Sequence, residues 1–282
     1  MRFTNLTLGA LLLAATATPA FAQEEAADAP EPITVSGSVT LASDYRFRGV
    51  SQTDKEVALQ GGVTIAHESG AYVGFWGSNL AGWGTFLGAN MELDVVAGYK
   101  FPVAEGATLD VGVTYYMYPG GLDTTDFFEP YVKLSGTAGP VTLTAGVAYA
   151  PKQEALGRVY PDAAAAAAGT PSFPGDKEDN LYVSGDAVLA VPNTPLSLRA
   201  HLGYSDGNNG LGPNGTSLAP TGKYLDWALG ADLTFKGLTL GVSYIDTDIS
   251  AAESAYLMPN FSKTTGGDIA GSTVVVSLTA AF

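Results

Sequence analysis

The stretch LSLRAHLGYS, residues Leu196–Ser205, alternates between apolar side chains and polar or small ones. One face carries Leu196, Leu198, Ala200, Leu202 and Tyr204, and the other carries Ser197, Arg199, His201, Gly203 and Ser205. Because successive side chains of a β-strand point to opposite faces, the pattern predicts a strand with one apolar and one polar face. A helical period does not fit it.

The same alternation recurs along the chain. Val141–Ala150 (VTLTAGVAYA) and Trp227–Phe235 (WALGADLTF) repeat it, and we count about twelve such segments. They begin near Thr34, Val57, Ala71, Gly88, Ala107, Phe127, Val141, Asn180, Pro195, Tyr224, Gly237 and Ser272. The sequence therefore predicts an all-β fold.

The connections between these segments alternate in length. Tight turns such as HESGA, VAEGA and FKG follow every second segment, whereas residues 151–179, 205–223 and 247–271 are long loops to which we assign no role. Short periplasmic turns and long extracellular loops are typical of a transmembrane β-barrel. We predict a single antiparallel transmembrane β-barrel of about 12 strands, with 10 or 14 as alternatives. A secreted β-sandwich is the soluble alternative.

Both ends of the chain fit export to the outer membrane. Residues 1–22 have the features of a cleaved signal peptide, with Arg2 as the positive charge, an apolar region over Leu6–Ala17 and an Ala20-Phe21-Ala22 cleavage motif. Residues 23–33 are predicted to be a disordered acidic periplasmic tail, and residues 34–282 the barrel. The final STVVVSLTAAF, ending on Phe282, resembles the terminal strand that the barrel assembly machinery of bacteria recognises.

Composition restricts the partners. The formal net charge of −15 excludes nucleic acid as an expected partner, and the absence of cysteine excludes disulfides and thiolate sites. We predict no catalytic residue, no cofactor and no metal site. The expected partners are outer-membrane lipid and lipopolysaccharide, the barrel assembly machinery and small solutes. The sequence does not indicate the oligomeric state.

The polar faces supply the candidate site residues, because a spanning barrel turns its apolar face to lipid and its polar face inward. The pore-lining and mouth candidates are Asp44, Arg46, Arg48, Gln60, Glu92, Asp94, Lys100, Asp110, Glu129, Lys133, Asp186, Arg199, His201 and Asp232. Among them, Glu92 and Asp94 are expected to form a cation-attracting patch with Asp110 on the following strand.

The segment SDYRFRGVSQ, Ser43–Gln52, is predicted to be the top of the first strand. Tyr45 and Phe47 then belong to the outer aromatic girdle, and Gly49 permits the turn or bulge that follows. Arg46 and Arg48 lie at the outer mouth, where they either orient anionic groups or pair with neighbouring acids as part of the wall.

The region Ser43–Asn79 resembles the N-terminal signature of the TorF-type porins, exported proteobacterial proteins with no settled function. The matching elements are Ser43-Asp44-Tyr45-Arg46-Phe47-Arg48-Gly49, Ser51-Gln52, Gln60-Gly61-Gly62, His67-Glu68-Ser69-Gly70, and Tyr72-Val73-Gly74 with Trp76-Gly77-Ser78-Asn79. The resemblance implies an outer-membrane β-barrel and a pore, and it supplies no catalytic residue.

The expected function is that of a porin-like outer-membrane channel for passive diffusion of small hydrophilic solutes or ions, and not that of an enzyme. One alternative is a non-conducting structural or adhesion barrel that presents its loops. The other is an outer-membrane lipid-modifying enzyme, which needs a serine hydroxyl beside His201 on the lipid side; the sequence places none there. Net acidity favours cations and the mouth arginines favour anions, so selectivity stays open.

Overall fold

The computed structural model describes residues 32–85, 88–122, 124–213, 215–219, 221–257 and 268–282. The predicted signal peptide, nearly all of the predicted tail and part of the third long loop lie outside the described residues. The strands are β1 Ile33–Ala42, β2 Arg46–Phe47, β3 Val50–Ser51, β4 Ala58–His67, β5 Ala71–Asn79, β6 Met91–Ala104, β7 Ala107–Met117, β8 Phe127–Ala138, β9 Val141–Gln153, β10 Glu178–Ala190, β11 Leu196–Asp206, β12 Lys223–Phe235, β13 Leu238–Thr247 and β14 Thr273–Ala281.

Within the part of the chain that the structure describes, helical structure is confined to the connections and comprises two α-helices and two 3-10 turns. The two α-helices are α1 Ala163–Ala167 and α2 Ala251–Leu257, and 3-10 turns span Gly82–Thr85 and Glu154–Leu156. Among the described residues no helix has the length and apolar character needed to span a bilayer.

Strand β1 and strands β4–β14 close into one antiparallel barrel in which each strand pairs with its neighbours in chain order. Closure comes from β1 and β14, whose register runs from Ser38↔Ala281 to Ala42↔Ser277. The predicted twelve-stranded barrel is confirmed over the described residues. The largest error in a predicted strand start is at the fourth segment, which begins at Met91 instead of Gly88.

The terminal aromatic residue helps to close this seam. The Phe282 amide donates to the Gly37 carbonyl at 3.0 Å, and the Gly37 amide donates to the Phe282 carbonyl at 2.8 Å. The Phe282 ring lies over Gly37, where a Cβ atom would come within 2.7 Å of the ring. A glycine is therefore required beneath the last side chain.

The two ends of the barrel differ. The connections after β4, β6, β8, β10 and β12 are short and lie at the same end as both strand termini, Ile33 and Ala281; we call this the turn end. The connections after β1, β9, β11 and β13 are longer and lie at the opposite, loop end. Because the chain returns to the turn end after each pair of strands, the strand number is even, as the predicted topology requires.

The barrel wall is apolar outside and polar inside. Leu229 on β12 and Val242 on β13 are exposed on the outer surface, while Asp226 and Asp232 on β12 are buried within the lumen. This is the alternation that a lipid-facing barrel needs, because every second side chain contacts hydrocarbon.

We expect Leu229→Arg to destabilise the folded barrel in lipid by about 2–4 kcal/mol, because it places a charge on the lipid face. Leu229 is 61% exposed and lies midway along β12. The neighbouring Ala228→Arg puts the same charge into the lumen and serves as the matched control. The measurement is the urea midpoint of folding into phospholipid vesicles. Equal destabilisation by the two variants would contradict the assignment of the outer face to lipid.

Candidate functional site: a plugged lumen

The segment between β1 and β4 folds into the barrel. The two strands remain paired as far as Ala42↔Ala58, and the chain between them forms a hairpin in which β2 and β3 pair through Arg46↔Ser51 and Phe47↔Val50. We call residues 43–54 the plug. Its side chains contact inward-facing residues of β5, β6, β8 and β10, so the plug lies across the lumen at the loop end.

The predicted position of this segment was wrong. The first strand ends at Ala42 instead of continuing through Arg48, and Tyr45 is 2% exposed inside the barrel instead of lying in the aromatic girdle. Phe47 also packs inside, edge-on against Tyr116 of β7 at 5.9 Å between ring centroids. Asp44, Arg46 and Arg48 are therefore not rim residues but belong to the buried plug. The predicted turn at Gly49 is present.

The tip of the plug is a two-residue turn with an unusual sequence. Arg48 and Gly49 have φ values of 47° and 80°, as in the type I′ turn that joins short hairpins. Gly49 accepts this conformation freely, whereas a non-glycine residue in the left-handed region costs about 1–2 kcal/mol. The contacts of the Arg48 side chain must offset that cost.

The Arg48 guanidinium is fully buried against the far wall of the barrel. Its Nη2 donates to both carboxylate oxygens of Glu129 on β8, each at 2.7 Å. Its Cζ atom lies 4.0 Å from the ring centroid of Tyr182 on β10 and 4.8 Å from that of Phe47. Burial alone would lower the pKa of Arg48, but the charge of Glu129, the neighbouring Tyr116 and Tyr182 and the hydrogen bond to Glu129 together outweigh it and hold the pKa above its ordinary value. The plug is therefore pinned to the wall by a permanent charge.

The base of the plug is held by Asp44 and Arg46. The Asp44 carboxylate accepts from Arg46 Nε at 2.6 Å and from the Ser51 hydroxyl at 2.6 Å. Arg46 Nη1 donates to the carbonyls of Gly49 and Ile269, at 2.8 and 2.9 Å. These bonds make the hairpin a rigid unit and join it to the loop before β14.

Tyr45 connects the plug to a pair of acids on β6. Its hydroxyl donates to Glu92 at 3.2 Å, and its ring packs edge-on against Trp76 at 5.3 Å. Burial, and next the charge of Glu92, raise the pKa of the Tyr45 hydroxyl. Asp94 is buried on the same face of β6. The predicted three-acid patch was wrong, since Asp110 pairs in register with Lys100, six residues and about 20 Å further along β6 than Asp94.

The loops pack over the plug from outside. Val50 of the plug shares a hydrophobic cluster with Leu211, Ala219 and Ile269, which come from the second and third long loops. Leu156 and Leu218 join Tyr45 in a neighbouring cluster. The loop end is thus closed by apolar packing as well as by the polar contacts of the plug.

The turn end of the lumen is different in character. It is lined by half-buried hydroxyl groups, with cross-strand bonds such as Ser135–Thr144 at 2.9 Å. Its charges are paired along the wall: Lys100 lies 3.8 Å from Asp110, and Arg199 Nη2 donates to Asp232 at 3.0 Å. This half forms a polar vestibule below the plug.

His201 is the histidine of the vestibule. Its Nδ1 lies 2.7 Å from Asp186, and its Nε2 lies 3.1 Å from Asp226 and 2.9 Å from the Tyr182 hydroxyl. A carboxylate at each ring nitrogen matches a doubly protonated imidazole, because only that form donates from both nitrogens. Its side chain is 20% exposed.

The structure places the predicted site residues in two groups. The plug and its surroundings contain Asp44, Arg46, Arg48, Glu92, Asp94 and Glu129, and Gln60 is buried on β4. The vestibule contains Lys100, Asp110, Lys133, Asp186, Arg199, His201 and Asp232. Among the described residues no cluster of three histidine or acidic side chains is arranged to hold a metal ion.

Two residues central to this arrangement were missed. The Tyr182 ring packs against the Arg48 guanidinium, and Asp226 contacts both His201 and the tip of the plug. Strand parity was sufficient to find them, since Tyr182 lies four residues from Asp186 and Asp226 six residues from Asp232.

Known structures share this architecture. The NanC porin superposes with a TM-score of 0.52 at 11% sequence identity, covering 88% of this chain and 99% of that one. The KdgM porin gives a TM-score of 0.49 at 9% identity, with the same coverage. At such identities the NanC likeness concerns the fold alone, which is that of a porin. No curated protein matches the sequence.

The sequence profile of one bacterial family matches residues 26–282, which include the whole barrel and the plug. The chain therefore belongs to the family described as "Bacterial protein of unknown function (Gcw_chp)".

Proposed function

We propose that the protein is a porin-like channel of the outer membrane that admits small hydrophilic solutes or ions by passive diffusion. The turn end, with both strand termini, faces the periplasm, and the loop end faces outward. Lipid and lipopolysaccharide contact the apolar wall, and the assembly machinery recognises the terminal strand. On the motifs of Ser43–Asn79, we further propose that the family is of the TorF type.

The observation that supports the channel most directly is the polar vestibule. The hydroxyl-lined interior does not serve to stabilise the fold as a packed core would, because buried hydroxyls and paired charges contribute little to stability. It suits water and polar solutes. The interior charges alternate in sign, as in Lys100 with Asp110 and Arg199 with Asp232, so we expect weak ion selectivity.

A non-conducting barrel is the second candidate, and the plug favours it. Residues 43–54 fill the loop end of the lumen in the described part of the chain, as a permanently closed barrel would require. The enzyme alternative has less support, because the His201 ring nitrogens contact carboxylates and a tyrosine instead of a serine hydroxyl.

The structure suggests a variant that separates these candidates. The Gln52 amide donates to the Tyr45 carbonyl at 2.7 Å, so these two residues already flank a hairpin. Replacing residues 46–51 by Asn-Gly closes the chain with a favoured two-residue turn and removes both arginines. We call this variant the excised barrel.

Liposome swelling with the excised barrel tests the proposal. We expect vesicles that contain it to swell in small sugars and amino acids and not in large oligosaccharides, because twelve strands enclose a narrow lumen. Heat-modifiable migration on a denaturing gel confirms that the variant is folded. A folded excised barrel that passes no solute would contradict the channel and support the non-conducting barrel.

A further inference from the structure

We propose that the plug is a movable gate and that Arg48 is its latch. This inference rests on the proposed channel function, since a gate needs a conduit to close. It follows from how the plug is attached, from what its folded position costs and from which contacts hold it against the wall.

The plug is attached so that it can leave without opening the barrel. The barrel strands β1 and β4 pair through Ala42↔Ala58, which is the base of the loop, and β2 and β3 form a separate sheet. Ser43, at the hinge, bonds the Val276 carbonyl of β14, while other backbone bonds of the plug run to loop-end segments, such as Ser51 to Ile269 and Ala81 to Gln52. The twelve-stranded ladder stays intact.

The folded position of the plug is costly. Arg48 adopts a left-handed conformation, and both oxygens of Glu129 converge on one of its nitrogens. Arg48 Nε and Nη1 are therefore buried without a protein acceptor among the described residues, and Arg46 Nη2 is buried without one as well. Buried donors without acceptors oppose burial, whereas water would solvate them on withdrawal. The strain at Arg48 and the unpaired donors therefore favour withdrawal of the plug, and the other contacts of the plug oppose it. A gate requires this balance, and a permanent wall does not.

The contact with Glu129 is the strongest link between the plug and the barrel wall. Over the described ranges, the bonds of Asp44 are internal to the plug, and those of Arg46 reach Asp44, Gly49 and residues 269–271. Among the described residues, the other polar wall contacts are neutral bonds of Ser43 with the Val276 backbone at the hinge and the bond from Tyr45 to Glu92, which is longer at 3.2 Å. Because charge-assisted bonds are about twice as strong as neutral ones, loss of Arg48 is expected to release the tip first.

A single thiol reports the movement, because the chain has no cysteine of its own. Val50 is buried in the plug, so Val50→Cys in the folded protein is shielded from a membrane-impermeant maleimide while the plug is in place. Adding Arg48→Ala is expected to raise the labelling rate at least about tenfold, the change that loss of one charged hydrogen bond produces. Lys223→Ala removes a paired cation from the exposed rim and is expected to leave the rate unchanged.

Conductance of the same proteins separates the gate from the channel. We expect Arg48→Ala to raise the open fraction of the channel in proportion to the labelling rate. An unchanged labelling rate in Arg48→Ala, beside an excised barrel that conducts, overturns the gate alone. Faster labelling of Arg48→Ala, together with an excised barrel that never conducts, overturns the proposed channel function, and the gate proposal with it.

Discussion

Replacing Glu129 by alanine is expected to release the plug more completely than replacing Arg48 itself. Removing one partner of a buried ion pair leaves the other as an uncompensated charge and costs about 3–5 kcal/mol. In Glu129→Ala the isolated group is Arg48, which stays charged, is fully buried and has no other carboxylate within bonding distance among the described residues. In Arg48→Ala the remaining Glu129 still accepts from the Tyr116 hydroxyl at 3.3 Å.

A double-mutant cycle on the Val50→Cys background measures this difference. The double variant Arg48→Ala/Glu129→Ala is expected to label more slowly than Glu129→Ala alone, because it carries no stranded charge. Heat-modifiable migration shows whether each barrel is folded. If Glu129→Ala labels no faster than the parent, the ion pair is not what holds the plug.

Gly49→Val is expected to displace the tip of the plug by a steric route. Gly49 has φ of 80°, and a Cβ atom there would clash with Thr247 Cγ2 and lie 3.0 Å from Asp226 Cβ. Both neighbours belong to barrel strands and cannot withdraw easily. A valine therefore adds a clash with the wall to the backbone strain of a left-handed β-branched residue.

The matched control for this substitution is Gly139→Val. Gly139 also has positive φ, at 59°, but nothing lies within 4 Å of its Cβ position. We expect the control to lower stability by about 1–2 kcal/mol through strain alone and to leave Val50→Cys labelling unchanged. Gly49→Val is expected to accelerate labelling strongly. Equal labelling of the two variants would contradict close packing of the tip against β12 and β13.

The barrel was predictable from the sequence because its determinants are local. Period-two alternation, the spacing of turns and the terminal Phe282 each report on one strand or one connection. The same parity rule placed Glu129, His201 and Asp232 on the inner face. It did not give their height along the lumen, which depends on register between strands, and so Asp110 was grouped with Asp94 instead of Lys100.

The plug was not predictable from the same signals. Asp44 to Arg48 continue the polar and apolar alternation of the first strand. The sequence pattern therefore does not distinguish a separate hairpin from the end of that strand. The turn Arg48-Gly49 lacks the Asn-Gly sequence that marks a tight hairpin. The partner that makes burial of Arg48 tolerable, Glu129, lies 81 residues away. Only the folded barrel brings them together.

The central claim is that a conducting lumen is closed by residues 43–54, and single-channel recording in planar bilayers tests it most directly. Wild-type protein and the excised barrel are compared at the same salt and voltage. We predict frequent stepwise conductance from the excised barrel and rare openings from the wild type. Steps that are equally frequent in both would contradict closure by the plug, and a folded excised barrel without any steps would contradict the channel.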